Sequence, residues 1–125
     1  MTRRPLLYLD FDHSEDAEGT ATWDAIASVS AAHLPALQAE IVRVLAWATE
    51  EFPGQRGPVE EGGMWDYDLH SEPQDGALQS LWFDAAETRL LPHLAPDSAR
   101  RHTLTLSISG RPSFAAAFDS TFLLD

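Results

Sequence analysis

Alternation of apolar and polar residues is the feature of this sequence that most constrains its fold. Two stretches alternate cleanly, MWDYDLH over residues 64–70 and HTLTLSIS over residues 102–109. A period of two is typical of a strand with one face in the core and the other in water. The side chains predicted to face the core are Trp65, Tyr67, Leu69, Leu104, Leu106 and Ile108. On the first of these strands, Asp66, Asp68 and His70 are predicted to face away from it.

The same alternation near the N-terminus predicts a further half-buried strand over residues 7–12. Its predicted core side is Leu7, Leu9 and Phe11, and its opposite side is Tyr8, Asp10 and Asp12. The polar stretch 14–19 ends in Gly19 and predicts a turn. Residues 22–29 would then form the return strand of a hairpin, although Ala25 and Ala27 would also suit a helix.

The remaining strands are predicted around turns and loops. The stretch 53–63 contains four glycines and two prolines without an apolar period, which indicates a long loop. A turn over residues 72–76 leads to a predicted partner strand over residues 77–84. Residues 85–100 are ambiguous, and one interpretation extends that strand through Thr88–Leu90 before a proline-containing loop.

Two helices are predicted from apolar residues that recur every three or four positions. The longer spans residues 35–52, with Pro35 in its first turn and Pro53-Gly54 ending it. Its apolar stripe is Leu34, Leu37, Ile41, Leu45, Ala48 and Phe52, widened on one flank by Val44 and Trp47. A short second helix is predicted to start at Pro112, with Phe114, Ala117, Phe118 and Phe122 as its buried stripe.

The predicted element order is ββαβββα. Parallel strands would need a helical crossover each time, and the sequence has too few helices for that. We therefore expect an α+β fold, a mainly antiparallel sheet of about five strands with two helices packed on one face. A chain of 125 residues is expected to form a single compact domain over residues 1–125.

A short repeat relates the two halves of the chain. Asp10-Phe11-Asp12 precedes His13-Ser14-Glu15, and Asp66-Tyr67-Asp68 precedes Leu69 and then His70-Ser71-Glu72. This pattern has two interpretations, a duplicated ββα unit or a chance reuse of common residue types in strands and turns. Duplication would give the two Asp-aromatic-Asp stretches pseudo-equivalent places in the sheet.

The net charge of −12 limits the classes of partner that this chain is expected to bind. A surface so negative repels phosphate backbones and anionic membranes, so neither nucleic acid nor a membrane is an expected partner. All eight basic residues are arginine, which together with abundant alanine is typical of bacterial proteins from GC-rich genomes. The absence of cysteine excludes disulfides and thiolate sites, and a cytoplasmic location is expected because no apolar run resembles an export signal or membrane span.

Four predicted outward aspartates and one histidine form the candidate binding surface: Asp10, Asp12, Asp66, Asp68 and His70, which Asp24 would join in one register. These side chains either simply face water or converge on a divalent cation, and a pair of them could also act in acid/base chemistry. The sequence contains no HExxH, no GxSxG, no P-loop and no dinucleotide fingerprint. It therefore assigns no catalytic residue, metal ligand or cofactor.

Two classes of function follow from these patterns. The first, which we favour, is a non-enzymatic module that recognises a basic protein partner or self-associates through its sheet. The four tryptophans and an exposed Tyr8 would supply contact area in that case. The alternative is a small enzyme, metal-dependent or acid/base, that uses the aspartates.

Overall fold

The computed structural model describes residues 6–72 and 78–123. The predicted turn at residues 72–76 falls almost wholly outside this part of the chain, as does the first residue of the predicted strand 77–84. The strands are β1 (Asp12–Glu15), β2 (Ala21–Val29), β3 (Trp65–Glu72), β4 (Gln79–Asp84), β5 (Arg89–Leu91) and β6 (His102–Gly110). The α-helices are α1 (Leu34–Glu51) and α2 (Pro112–Phe118), and α2 continues as a π-helical turn (Asp119–Leu123).

The described residues form one sheet in the order β1-β2-β6-β3-β4-β5, with every neighbouring pair antiparallel. The last strand of the chain, β6, lies between β2 and β3. It pairs with β2 along its whole length, from Val29↔His102 to Ala21↔Gly110. It pairs with β3 from Glu72↔Thr103 to Trp65↔Gly110. The sheet is therefore complete only once β6 joins the two halves.

Both helices lie on the same face of this sheet. The ring of Phe114 in α2 lies 5.9 Å from that of Trp23 in β2, 5.5 Å from Trp65 in β3 and 5.7 Å from Trp47 in α1. α2 can approach so closely because β6 ends in Gly110, where an added Cβ would lie 2.3 Å from Cδ1 of Phe114. The α+β class and the one-sided placement of the helices are thus confirmed.

The predicted faces of the main elements are also confirmed. In α1, Leu37, Ile41 and Leu45 are fully buried, while Phe52, just beyond the helix end, is half-buried. In β3 and β6 the predicted core residues are buried, except that Tyr67 is half-buried. None of the helices within residues 6–72 and 78–123 is long and apolar enough to cross a membrane.

The described residues contain six strands, one more than the expected five, in the order ββαββββα. The extra strand arises from the ambiguous residues 85–100. β4 ends at Asp84, and a turn over residues 85–88, in which Thr88 is left-handed with φ of 53°, reverses the chain. Residues 89–91 then pair with β4 as β5, so the interpretation of one continuous strand through Thr88–Leu90 is wrong.

The N-terminal strand is misplaced in the sequence prediction. Residues 6–11 are not in a strand, β1 runs from Asp12 to Glu15, and Leu7, predicted to face the core, is 77% exposed. The cause is Glu40 of α1. Its carboxylate accepts hydrogen bonds from the backbone N–H groups of Leu7, Tyr8 and Leu9, at 2.7, 2.9 and 2.7 Å. Donors that bind a side chain in this way are not available to a strand ladder.

Two neighbours of Leu7 still contribute to packing. Leu9 is buried as predicted, and Phe11 lies edge-on to Phe118 at 5.4 Å between ring centroids. Tyr8, predicted to be exposed, is half-buried, and its hydroxyl lies 3.3 Å from Nδ1 of His33. The segment therefore covers one side of the core while its backbone is held by the helix.

The two Asp-aromatic-Asp stretches occupy different places in the sheet. Asp10 and Phe11 precede β1, which is an edge strand, whereas Asp66, Tyr67 and Asp68 lie within β3, an interior strand. The elements also differ, with ββα in the first half and ββββα in the second. The pseudo-equivalent placement that a duplication would give is not observed.

Candidate functional site

The sheet face opposite the helices, called here the open face, carries a line of acidic side chains. The alternate residues Ala25, Leu106 and Leu69 are buried against the helices, so their neighbours in sequence project from the open face. Cross-strand pairing places Asp12 opposite Asp24, Asp24 opposite Ser107, and Ser107 opposite Asp68. We call these four residues, on four adjacent strands, the aspartate row.

Asp12 and Asp24 are the closest like charges in this row. They are exposed and directly opposite in an antiparallel pair, where Cβ atoms are typically about 4.5–5.5 Å apart and like charges are destabilising. The hydroxyl of Ser107 donates a 2.5 Å hydrogen bond to Oδ1 of Asp24, which offsets part of this repulsion. Within the described residues, neither of the two aspartates has a salt bridge to a basic side chain.

Asp66 and Asp68 point away from the helices as predicted, but their surroundings differ. Asp66 is partly buried, and its Oδ1 lies 2.9 Å from Nη1 of Arg56. Asp68 is exposed, and its Oδ2 lies 3.6 Å from Nδ1 of His70, which is half-buried on the same strand. Asp10, the fifth predicted site residue, is exposed but precedes β1 and has no place in the row. The structure thus places Asp12, Asp66, Asp68 and His70 on the same face, with β2 and β6 separating Asp12 from the other three.

A groove of about 470 Å³ crosses the open face beside the aspartate row. Its floor includes Thr22, Ser107 and Ser109, with Asp66 and Asp68 along one side. One wall is the β1–β2 turn, with Asp16 and Glu18, and the other is the loop at Val59 and Glu60 together with Arg111. The lining is therefore mainly carboxylates and hydroxyls.

Arg111 is the basic side chain in this lining, and it is held by backbone atoms. Its Nε donates to the carbonyl oxygen of Gly63 at 2.9 Å, and its Nη2 donates to that of Val59 at 3.3 Å. Neither contact is with a carboxylate. The guanidinium holds the loop at residues 59–63 against the start of α2. Among the described residues, it forms no ion pair with the carboxylates of the groove.

The acidic side chains are aligned along the sheet and do not converge on a point. Among residues 6–72 and 78–123, no three carboxylate or imidazole groups come close enough together to hold a metal ion. A row across adjacent strands spreads its charges along a line, because neighbouring strands lie about 4.8 Å apart. This arrangement suits an extended partner better than a single cation.

A second cavity, called here the aromatic cleft, lies where β3 and β4 separate. The two strands pair only over residues 69–71 and 79–81, and beyond this the backbone N–H of Phe83 donates to the Tyr67 hydroxyl at 2.8 Å. The opening has a volume of about 440 Å³. Five aromatic side chains line it, Phe52, Trp65, Tyr67, Trp82 and Phe83, together with Thr49, Gly54, Arg56 and Ala85.

Sequence reasoning missed two parts of this surface. Ser107 alternates with the core residues of β6, but nothing in the sequence shows that it lies between Asp24 and Asp68. Arg56 lies in a glycine-rich loop, and its pairing with Asp66 depends on a short bridge in which Gly57 N–H donates to the carbonyl oxygen of Trp65 at 2.9 Å. Asp24, which the sequence includes in only one register, lies in the row.

No family model matches this chain, and comparisons with curated proteins and with solved structures give no significant match.

Proposed function

We propose that this protein is a non-enzymatic binding module whose open face recognises a basic segment of another protein. The observation that carries the proposal is the directly opposed pair of Asp12 and Asp24 within the aspartate row. Like charges in this position lower the stability of the sheet. Proteins keep such unfavourable contacts at sites where function requires them, and a cationic partner would relieve this one.

The groove and the net charge support the same conclusion. The groove adds Asp16, Glu18 and Glu60 to the row, so an extended basic segment could contact carboxylates along its length. A net charge of −12 would accelerate encounters with a basic partner and repel acidic competitors. Self-association through this face is disfavoured on the same grounds, because it would bring two negative surfaces together.

The test is a calorimetric titration with an oligo-lysine peptide, which measures the binding affinity at increasing salt concentrations. In the row variant, Asp12→Asn/Asp24→Asn/Asp68→Asn, affinity should fall about 5-fold or more at about 150 mM NaCl, as expected if each lost charge contributes a few tenths to one kcal/mol. The matched control is Glu50→Gln/Glu51→Gln/Glu87→Gln, which removes the same charge from exposed positions elsewhere. Equal losses in both variants would show that net charge alone attracts the peptide, and the proposal would be rejected.

A further inference from the structure

A cation already occupies one ring face in the aromatic cleft. The guanidinium carbon of Arg56 lies 5.0 Å from the centroid of Tyr67, within the range of a cation–π contact. The same guanidinium donates to Asp66 at 2.9 Å. One ring and one carboxylate therefore contact the same guanidinium, a combination with which proteins recognise arginine.

Arg56 is bound in a way that allows replacement. Its side chain is 54% exposed, and it sits in the loop after α1. Exposed ion pairs and exposed cation–π contacts are both weak. A competing guanidinium that gained additional contacts could therefore displace it.

Trp82 offers such an additional contact. It lines the cleft, it is 52% exposed, and it stacks on no other ring among the described residues. Tryptophan is the aromatic side chain that binds cations most strongly. Folding gains little from leaving this large ring in water, whereas a ligand cation would cover it.

The cleft and the groove on the open face share part of their lining. Tyr67 lines both the cleft and the groove, and Asp66 joins Arg56 in the cleft to the carboxylates beside the groove. A basic segment lying along the groove would thus reach the cleft with one side chain. The charge of the whole molecule favours a cation at this position.

We infer that the aromatic cleft receives an arginine side chain of the basic partner, which replaces Arg56 on Tyr67 and Asp66 and also contacts Trp82. This inference rests on the proposed function and adds to it a preference for arginine over lysine. A planar guanidinium stacks on rings and bonds a carboxylate through its edge, whereas an ammonium group is strongly hydrated and lacks a flat face.

The test compares an oligo-arginine with an oligo-lysine peptide of equal length by calorimetry, at about 150 mM NaCl so that long-range charge effects are screened. The native protein should prefer the arginine peptide by about 3- to 10-fold, the range of a partly exposed cation–π contact. Trp82→Ala should bring that ratio close to one, because it lowers the affinity for the arginine peptide more than that for the lysine peptide, while Trp82→Phe should retain most of the preference. Circular dichroism would verify that both variants fold.

Removal of the resident cation gives an independent readout. Arg56→Ala should increase affinity for the arginine peptide about 3-fold more than for the lysine peptide, because it removes the competitor on Tyr67. Arg89→Ala, which removes an exposed positive charge on β5, should raise both affinities equally.

Failures of the two proposals are distinguishable. Equal affinities for both peptides that still depend on the aspartate row would overturn the inference and leave the proposed function standing. An arginine preference that survives in Trp82→Ala would also overturn it, because recognition would then lie elsewhere. Absence of row-dependent binding by either peptide would reject both.

Discussion

At the scale of single residues, Glu40 has the largest effect on the path of the chain. It is the buried acidic side chain among the described residues, and it accepts three backbone N–H groups from a segment more than thirty positions earlier in the sequence. Hydrogen bonds to a charged acceptor are stronger than those between neutral groups. They hold residues 7–9 against α1 and prevent them from extending β1.

Glu40→Gln should lower the free energy of unfolding by about 1–3 kcal/mol, because the amide keeps one acceptor oxygen and turns a donor toward backbone donors. Urea denaturation measures this difference directly. Glu50→Gln, an exposed change on the same helix, should leave the midpoint within experimental error. Indistinguishable denaturation midpoints for the two variants would show that the Glu40 carboxylate does not hold the N-terminal segment.

This residue also explains where sequence reasoning fails. Alternation in residues 7–12 resembles a strand, and nothing near it in sequence indicates a competing acceptor. The competitor is Glu40, which the periodicity of α1 places on a helix whose apolar stripe does not include it. A long-range contact between a side chain and the backbone leaves no local pattern, so the misplacement of β1 could not be avoided from sequence alone.

At the scale of elements, α2 depends on its contact with the sheet. With seven residues it is too short to be stable alone, so packing must supply its stability. The decisive contact joins Phe114 to Gly110 at the end of β6, where both neighbouring strands also pair, through Ala21 and Trp65. No side chain larger than hydrogen fits between this backbone and the ring.

Gly110→Ala should therefore destabilise the protein by about 1–3 kcal/mol, the usual cost of overpacking a filled core. Thermal or urea unfolding measures the loss. The control is Gly57→Ala, where an added Cβ meets no atom within 4 Å. A loss no greater at Gly110 than at Gly57 would mean that α2 does not pack on the sheet through Phe114.

The strands differ in how well their sequence specified them. β3 and β6 carry apolar residues at a period of two, and each formed on the predicted face because a shift by one residue would expose the whole apolar set. α1 carries its apolar residues at the helical period, which also specifies one face. β5 carries only three residues, which is too short for any period, and its position follows from the turn at Thr88. Cross-strand register is set by the assembled sheet. The sequence could therefore predict that the aspartates share a face, but not that they lie opposite one another in a row.

The edges of the sheet support recognition through its open face. β1 is four exposed residues, Asp-His-Ser-Glu, and β5 is three residues followed by Pro92. Short edge strands with charges or a nearby proline discourage pairing with further strands. Growth of the sheet by edge pairing is thus disfavoured on both sides, and the open face is the larger surface left for a partner.

At the scale of the whole molecule, repulsion between acidic side chains is an unfavourable contribution to stability. A net charge of −12 destabilises any compact state of this size, and the aspartate row concentrates part of that charge on one face. The row variant, with asparagine at positions 12, 24 and 68, keeps an acceptor for the Ser107 hydroxyl while it removes the repulsion. Its stability relative to the native chain therefore reports the energetic cost of the row itself.

At low ionic strength the row variant should be more stable than the native protein by up to about 1 kcal/mol, the size of one unfavourable cross-strand pair. The gain should shrink as salt approaches about 0.5 M, where the Debye screening length falls to a few ångströms. The Glu50→Gln/Glu51→Gln/Glu87→Gln control should gain less, since these residues lie outside the row. A divalent cation provides the opposing outcome: if submillimolar magnesium, manganese or calcium raised the melting temperature of the native chain and not of the row variant, the aspartates would form a metal site. Urea titrations at two salt concentrations, with and without each cation, decide between repelling charges that await a basic partner and charges that hold an ion.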